Sequence, residues 1–232
     1  MTAASDGPSA PADPLASIDV VVMARVPIVG RVKTRLAARI GPQAACQLYS
    51  AMLTDLAVRL RAVPSVVTWM WTPAGLARPF VGSDACHADQ CSGDLGARMD
   101  RAIADRWHAG PRPVLVLGAD APQIEVEWLR TGAEMLLRGV DVVLGPADDG
   151  GYWAIGLREP RPRLFAEMPW STAAVFETTV ARARASGWTV GELPRTFDLD
   201  GWDDLRRLRE IVAGDPTALP AIAAALADLA LA

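Results

Sequence analysis

Lysine is almost missing from this chain. Of 23 basic residues in a sequence of 232, only Lys33 is a lysine and all the others are arginine. Basic residues are also not in excess, since 27 acidic residues bring the formal charge to -4. That balance excludes a general nucleic-acid binder, which needs a net basic field to displace counterions from the phosphate backbone. Any phosphate site must therefore be local. Histidine is scarce too: His87 and His108 are the only two. Neither falls at the carboxyl end of a predicted strand, so Ser–His–Asp or Cys–His catalysis has no support. The three cysteines, Cys46, Cys86 and Cys91, are odd in number in a chain too long to need staples, which argues against a disulfide framework. The cluster Cys86, His87, Asp89 and Cys91 lacks a second pair at structural-zinc spacing and reads as a loop with ordinary thiols. No apolar run approaches the roughly 20 residues that span a bilayer, and no basic region followed by an apolar stretch opens the chain. The expectation is a cytoplasmic protein with no membrane and no nucleic-acid partner.

What is present is the composition of a globular protein, with 51% apolar and 22% charged residues. The length suits one α/β domain. Residues 1–17 are rich in Ala, Pro, Ser and Asp without periodicity and read as a disordered leader. Residues 18–215 form the expected domain, and 216–232 an almost uncharged helix packed on it. A homodimer contact through this last stretch is the alternative.

Ile18 to Met23 is a short, Val-rich run of the kind buried on both faces of a parallel sheet. Gly41-Pro42 opens a helix to about Arg61, with Leu48, Met52, Leu56 and Leu60 at i, i+4 spacing. Further strands are predicted at Ser65–Trp71, Pro113–Leu117, Asp141–Leu144 and Tyr152–Leu157. Helices are expected after Asp94, over Glu125–Arg138 and over about Thr172–Ser186. Strand and helix alternate, which predicts a mostly parallel mixed sheet flanked by helices, with ligands at the carboxyl ends of its strands.

The loops after those strands carry the candidate residues. After the first strand come Arg25, Gly30, Arg31, Lys33 and Arg35. Glycine lets backbone N–H groups approach phosphate oxygens, and the basic heads supply charge-assisted bonds. The segment is neither a Walker A loop nor a dinucleotide fingerprint. Asp120 follows the Pro113–Leu117 strand, where a carboxylate points into the ligand crevice and suits a hard cation. Asp148, Asp149, Gly150, Gly151 and Tyr152 join two acids, two glycines and an aromatic ring between two strands. They form either a substrate-contacting turn or a turn and nothing more. Asp198 and Asp200 are candidate second metal ligands, whereas Asp203 and Asp204 are first-turn residues that favour a helix dipole.

Taken together, ARVPIVGRVKTRL, AACQLYSAMLTDL, GDLGARM, LGADAP, GPADDGGYWAIGL, MPWST and FDLDGWDDL resemble a bacterial family of uncharacterised transferases of the glycosyltransferase-A type, collinearly from about Ile18 to Leu208. Some of its members are described as arsenosugar-biosynthesis glycosyltransferases. The resemblance implies the nucleotide-diphospho-sugar transferase fold, with a nucleotide half followed by an acceptor half. It puts Lys33 and Arg35 near phosphates, Asp120 at a Mg²⁺ or Mn²⁺ ion, and Asp149 with Gly150-Gly151 near the second substrate. Glycosyltransferases of this fold usually carry Asp-x-Asp where this chain has Gly118-Ala119-Asp120. The KTRL segment is also similar to the basic loop of 2-phospho-lactate guanylyltransferases.

The expected activity is metal-dependent transfer from a nucleotide sugar to a small-molecule acceptor. Lys33 and Asp149 would be catalytic, and Arg25, Gly30, Lys33, Arg35, Asp148, Gly150, Gly151 and Tyr152 would bind nucleotide or substrate. Nucleotidyl transfer with release of pyrophosphate is the alternative. A sensor that binds nucleotide without chemistry is a third reading.

Overall fold

A computed structural model describes residues 12–76 and 85–229. In chain order the elements are β1 (Asp19–Arg25), α1 (Thr34–Ile40), α2 (Pro42–Leu60), β2 (Val67–Thr72), β3 (Cys86–Asp89), α3 (Leu95–Ala109), β4 (Val114–Gly118), α4 (Val126–Leu137), β5 (Val142–Pro146), β6 (Tyr152–Leu157), α5 (Val175–Ala185), β7 (Val190–Glu192), α6 (Trp202–Gly214) and α7 (Pro220–Asp228). The seven strands form one sheet in the order β3-β2-β1-β4-β6-β5-β7. β6 runs antiparallel to both its neighbours, and the other pairings are parallel.

Alternation along the central strands builds two cores. Val20 and Val22 of β1, with Leu115 and Leu117 of β4, point to the face covered by α2, α4, α6 and α7. Val21, Val114 and Val116 point to the opposite face, under α3 and α5. Both faces are buried, which is why these strands read as continuous apolar runs.

Between β1 and β4 the strand order reverses. The chain leaves β1 toward β2 and β3, then returns to place β4 on the other side of β1. A crevice opens at the carboxyl edge of such a switch point. The loops after β1, β4, β5 and β7 all emerge at that edge. After β7 the chain turns back along it: Thr196 pairs with Ala147, and the Leu199 N–H donates to the Asp120 carbonyl at 2.9 Å. The Gln123 amide also donates to the Thr196 hydroxyl and the Phe197 carbonyl. Residues 196–200 are thereby pinned to the loop that carries Asp120.

Several expectations need correcting. Residues 1–11 of the expected leader lie outside the described residues, but Pro14–Ser17 forms a turn of 3-10 helix with Leu15 fully buried. One apolar side chain and the Asp13–Arg130 ion pair at 3.1 Å are enough to fasten it. Thr34–Leu36, the end of the expected loop ARVPIVGRVKTRL, opens helix α1, which runs to Ile40 and is anchored by buried Leu36. Cys86–Asp89 is edge strand β3, not loop, and its His87 Nδ1 accepts from the Trp71 indole N–H at 2.9 Å. Among the described residues no group of three or more His, Cys, Asp or Glu side chains is arranged to hold a metal ion. No described helix is long and apolar enough to cross a membrane.

α7 is docked on α2 by a buried carboxylate. Asp55 of α2, 4% exposed, accepts the backbone N–H groups of Ala221 and Ile222, both at 2.9 Å. It thus caps a helix other than its own. Asp55→Ala leaves both donors without a partner, which costs about 2–4 kcal/mol and lowers the thermal midpoint by roughly 5–10 °C. Circular dichroism melts of the two proteins check this, and equal midpoints would show that the contact contributes nothing.

Candidate active site

The loop after β1 is shaped by two backbone turns and two buried anchors. Gly30 takes φ 76°, and Lys33 takes the left-handed φ 47°, ψ 45° at the start of α1. Val32 and Leu36 pack into the core beneath, 3% and 0% exposed. The residues between them are turned the other way. Arg25, Arg31, Lys33, Thr34 and Arg35 line a cleft of about 330 Å³ together with Tyr49, Asp120 and Asp200.

Lys33 lies at the centre. Its ammonium donates to Asp120 Oδ1 at 2.5 Å and to Asp200 Oδ1 at 3.2 Å. The lysine side chain is 4% exposed, whereas the two carboxylates are 47% and 50% exposed. Burial alone would lower the Lys33 pKa, but the Asp120 and Asp200 charges outweigh it and hold the ammonium above its usual value. The Tyr49 ring lies 5.7 Å from the Lys33 Nζ. Its hydroxyl accepts the Arg25 backbone N–H at 3.0 Å, so Tyr49 ties the end of β1 to α2 under the ammonium. Burial, helped by the Asp120 charge, keeps that phenol protonated.

The arginines of the loop stand differently. Arg25, Arg31 and Arg35 form no ion pair with any described residue. Three unpaired guanidiniums thus face one cleft, and the loop's one ammonium is already neutralised.

The second acidic turn lies beside this cleft and does not line it. Asp148 forms an ion pair with Arg207 of α6 at 2.8 Å, and that guanidinium stacks 4.0 Å from the Phe197 ring centroid. The Asp149 carboxylate is exposed and accepts the Gly151 N–H at 2.8 Å, closing the turn on itself. Gly150, at φ 86°, lies so close to Ala173 that a Cβ would overlap its carbonyl. The Tyr152 ring packs edge-on to Trp170, and its phenol oxygen is buried. Of the residues expected to bind nucleotide, the cleft therefore gathers Arg25, Lys33 and Arg35. Gly30 shapes its loop, and Asp148, Gly150, Gly151 and Tyr152 are elsewhere. Of the three expected metal ligands, Asp120 and Asp200 line it and Asp198 does not.

Residues 45–172 match the model of a family described as "Uncharacterized protein conserved in bacteria" (DUF2064). The chain belongs to this family. Several solved structures share the fold of this DUF2064 chain. One, from Desulfovibrio desulfuricans G20 and provisionally titled a nucleotide-diphospho-sugar transferase, is 28% identical, with a TM-score of 0.85 over 92% of this chain and 95% of that one. CMP:2-keto-3-deoxy-manno-octonic acid synthetase, solved with CTP, is 12% identical, with a TM-score of 0.51 over 86% and 99%. A cytidylyltransferase from Leptospira borgpetersenii is likewise 12% identical, at 0.50 over 88% and 96%. These two distant likenesses speak for the fold alone. No curated protein matches the sequence.

Tyr49 and one ion pair escape a reading of the sequence alone. Tyr49 sits among the apolar residues of α2, and its only signal is that a buried tyrosine needs a partner for its hydroxyl. The pairing of Asp200 with Lys33 joins residues far apart in the chain and has no local signature.

Asp198 gives the site a titration near neutrality. Burial pushes its carboxyl up to about 7; the Asp120 and Asp149 charges add to the rise, Lys33 opposes it, and Asp200 adds slightly more. In the unfolded chain an aspartate ionises near pH ~3.9. The folded protein therefore binds the proton more tightly. The resulting stability is fully present below about pH 4 and is lost as the pH rises through about 7. In metal-free buffer the wild-type midpoint should fall between about pH 5 and pH 8 more steeply than that of Asp198→Asn, which cannot ionise. Parallel pH profiles for the two proteins would contradict this assignment.

Proposed function

We propose that this protein is a transferase that works on the phosphate chain of a nucleotide sugar and delivers the sugar to a small-molecule acceptor. The observation that carries the reading is the cleft at the β1/β4 switch point, where three unpaired guanidiniums face a pair of half-exposed carboxylates. The likeness to the Desulfovibrio structure supports it in turn.

Guanidiniums recognise phosphate oxygens through paired N–H donors and stay charged at any working pH. Arg25, Arg31 and Arg35 would draw in a diphosphate, fix its position and neutralise the charge that collects on it as it leaves. Val32 and Leu36 anchor the backbone that carries Arg31 and Arg35, and Arg25 ends β1, so the three heads start from fixed positions around the cleft. Lys33 keeps Asp120 and Asp200 together at the mouth of the cleft. Asp149, exposed on its turn, is the candidate for orienting the acceptor hydroxyl and taking its proton.

The fold family implies a divalent cation, and the donor set suits one. Asp120 and Asp200 offer hard carboxylate oxygens, and Mg²⁺ or Mn²⁺ takes one or two of these with phosphate oxygens and water completing the shell. The ion would add positive charge at the leaving phosphates. With only two convergent carboxylates, the protein alone supplies part of a coordination shell, which fits an ion that arrives with the nucleotide. Asp198, within electrostatic reach but outside the cleft, would tune the pair without binding the ion directly.

A nucleotidyl-transfer reading has two observations in its favour. Three free guanidiniums match a triphosphate better than a diphosphate, and the β4 edge carries one aspartate in Gly118-Ala119-Asp120. The leaving group separates the readings: a nucleoside diphosphate marks glycosyl transfer, and pyrophosphate marks nucleotidyl transfer.

Asp120 is needed under both. Asp120→Asn removes one of the two counter-charges of buried Lys33 but leaves Asp200 and an amide oxygen to accept from the ammonium, so it should still fold, with a midpoint lowered by roughly 5–10 °C, a cost of about 2–3 kcal/mol. It should nevertheless lose Mn²⁺-dependent stabilisation by nucleotide in thermal-shift titrations. If both proteins are stabilised equally by nucleotide with Mn²⁺, Asp120 does not hold the ion.

A further inference from the structure

The chain uses lysine once, at a position where its ammonium is buried between two carboxylates. Lys33 Nζ touches Oδ1 of both Asp120 and Asp200, and only 4% of the lysine side chain is exposed. These are the oxygens a hard cation would take. Arginine would hold such a pair through a rigid, planar fork. Lysine offers a compact charge on a flexible stem, with three donors that can be shared between partners and released.

Resting on the reading that Asp120 and Asp200 hold a divalent ion, we infer that Lys33 is an internal stand-in for that ion. Its ammonium keeps the two carboxylates together while the cleft is empty, and it excludes Mg²⁺ or Mn²⁺ until nucleotide phosphates offer the ammonium a new partner.

Charge accounting supports the exchange. With Lys33 between them, Asp120 and Asp200 are partly neutralised, and a dication brought to the same oxygens would face a buried positive charge within a few ångströms. Without Lys33, two carboxylates would face each other with Asp198 behind them and would attract the first available cation. The phosphates supply the ammonium's alternative, because the loop that carries Lys33 also carries Arg31 and Arg35 into the same cleft. Metal and nucleotide then enter together. The protein holds a weak metal site when empty and a strong one when loaded, although no element of the fold has to move. Lys33 is a positioning residue in this account.

The test is Mn²⁺ binding followed by the electron paramagnetic resonance signal of the free ion, in nucleotide-free wild type and Lys33→Met. Lys33→Met keeps the length and apolar stem and removes the charge. It should bind one Mn²⁺ at least about tenfold more tightly than wild type, because the competing ammonium is gone. A nucleoside triphosphate should strengthen Mn²⁺ binding in wild type and should do so much less in the variant, closing most of the gap. Equal or weaker Mn²⁺ binding by nucleotide-free Lys33→Met overturns the inference. Should the variant fold poorly without metal, the rise in its thermal midpoint on adding Mn²⁺ reads the same competition. A rise no larger than that of wild type also overturns it.

The doubly substituted Lys33→Met/Asp120→Asn protein separates this inference from the reading beneath it. If the tight Mn²⁺ site disappears in the double variant, Asp120 holds the ion and the exchange stands. If it persists, the ion sits elsewhere and the metal reading fails. Wild type that binds Mn²⁺ with nucleotide through Asp120, while Lys33→Met gains nothing, keeps the metal reading and discards only the role of Lys33.

Discussion

A lysine ammonium taken out of water must be given counter-charge, or it gives up its proton. In this protein that demand is met by Asp120 and Asp200, and meeting it fixes the geometry of everything around. Asp120 has to follow β4, next to β1 in the sheet. Asp200 has to be carried back across the same edge from beyond β7. The backbone bond from Leu199 to the Asp120 carbonyl and the bonds from Gln123 to Thr196 and Phe197 do that carrying. The Lys33 ion pairs therefore close a crevice whose walls come from the first, middle and last thirds of the chain.

The same constraint separates the charges into two groups with different tasks. The ammonium serves the carboxylates, and Arg25, Arg31 and Arg35 line the cleft without an ion-pair partner among the described residues. An unpaired guanidinium in contact with water costs little, so the loop can keep three of them ready for an anion. The acidic turn at Asp148 and Asp149 is built on other principles. Asp148 is spent on Arg207, and Gly150 is pressed against Ala173, so the turn is rigid and presents at its tip the exposed Asp149 carboxylate, bonded to the Gly151 N–H of its own turn. A rigid tip beside a charged cleft is a suitable place for the second partner of a transfer reaction.

The sheet was largely legible because its central strands obey burial on both faces. The Val-rich run near Val20 and the PVLVL run at Val114 could only be buried parallel strands, and Asp94 caps α3 with its side chain as expected. The short elements were hidden. β7 has three residues and little apolar signal, β3 is an exposed edge with polar residues, and α1 begins at a left-handed lysine, which no propensity anticipates. In the site, the residue types at the strand ends marked the loops that line the charged cleft. They did not announce that Lys33 would be paired, because an ion pair between positions 33 and 200 is created by topology and leaves no trace in local spacing. Tyr152 misled for the opposite reason: its place beside two glycines suggests a ligand, but the hairpin turns its ring toward Trp170 and the core under α5.

The proposed function stands on one arrangement, a nucleotide's phosphates against the loop after β1 with a divalent ion on the opposite wall. A crystal structure of the protein grown with nucleotide and Mn²⁺, with the ion located by its anomalous scattering, tests that arrangement most directly. The arrangement predicts phosphate oxygens on the guanidiniums of Arg25, Arg31 and Arg35 and the anomalous peak on Asp120. Phosphates bound away from this loop, or Mn²⁺ on carboxylates other than Asp120 and Asp200, would contradict it.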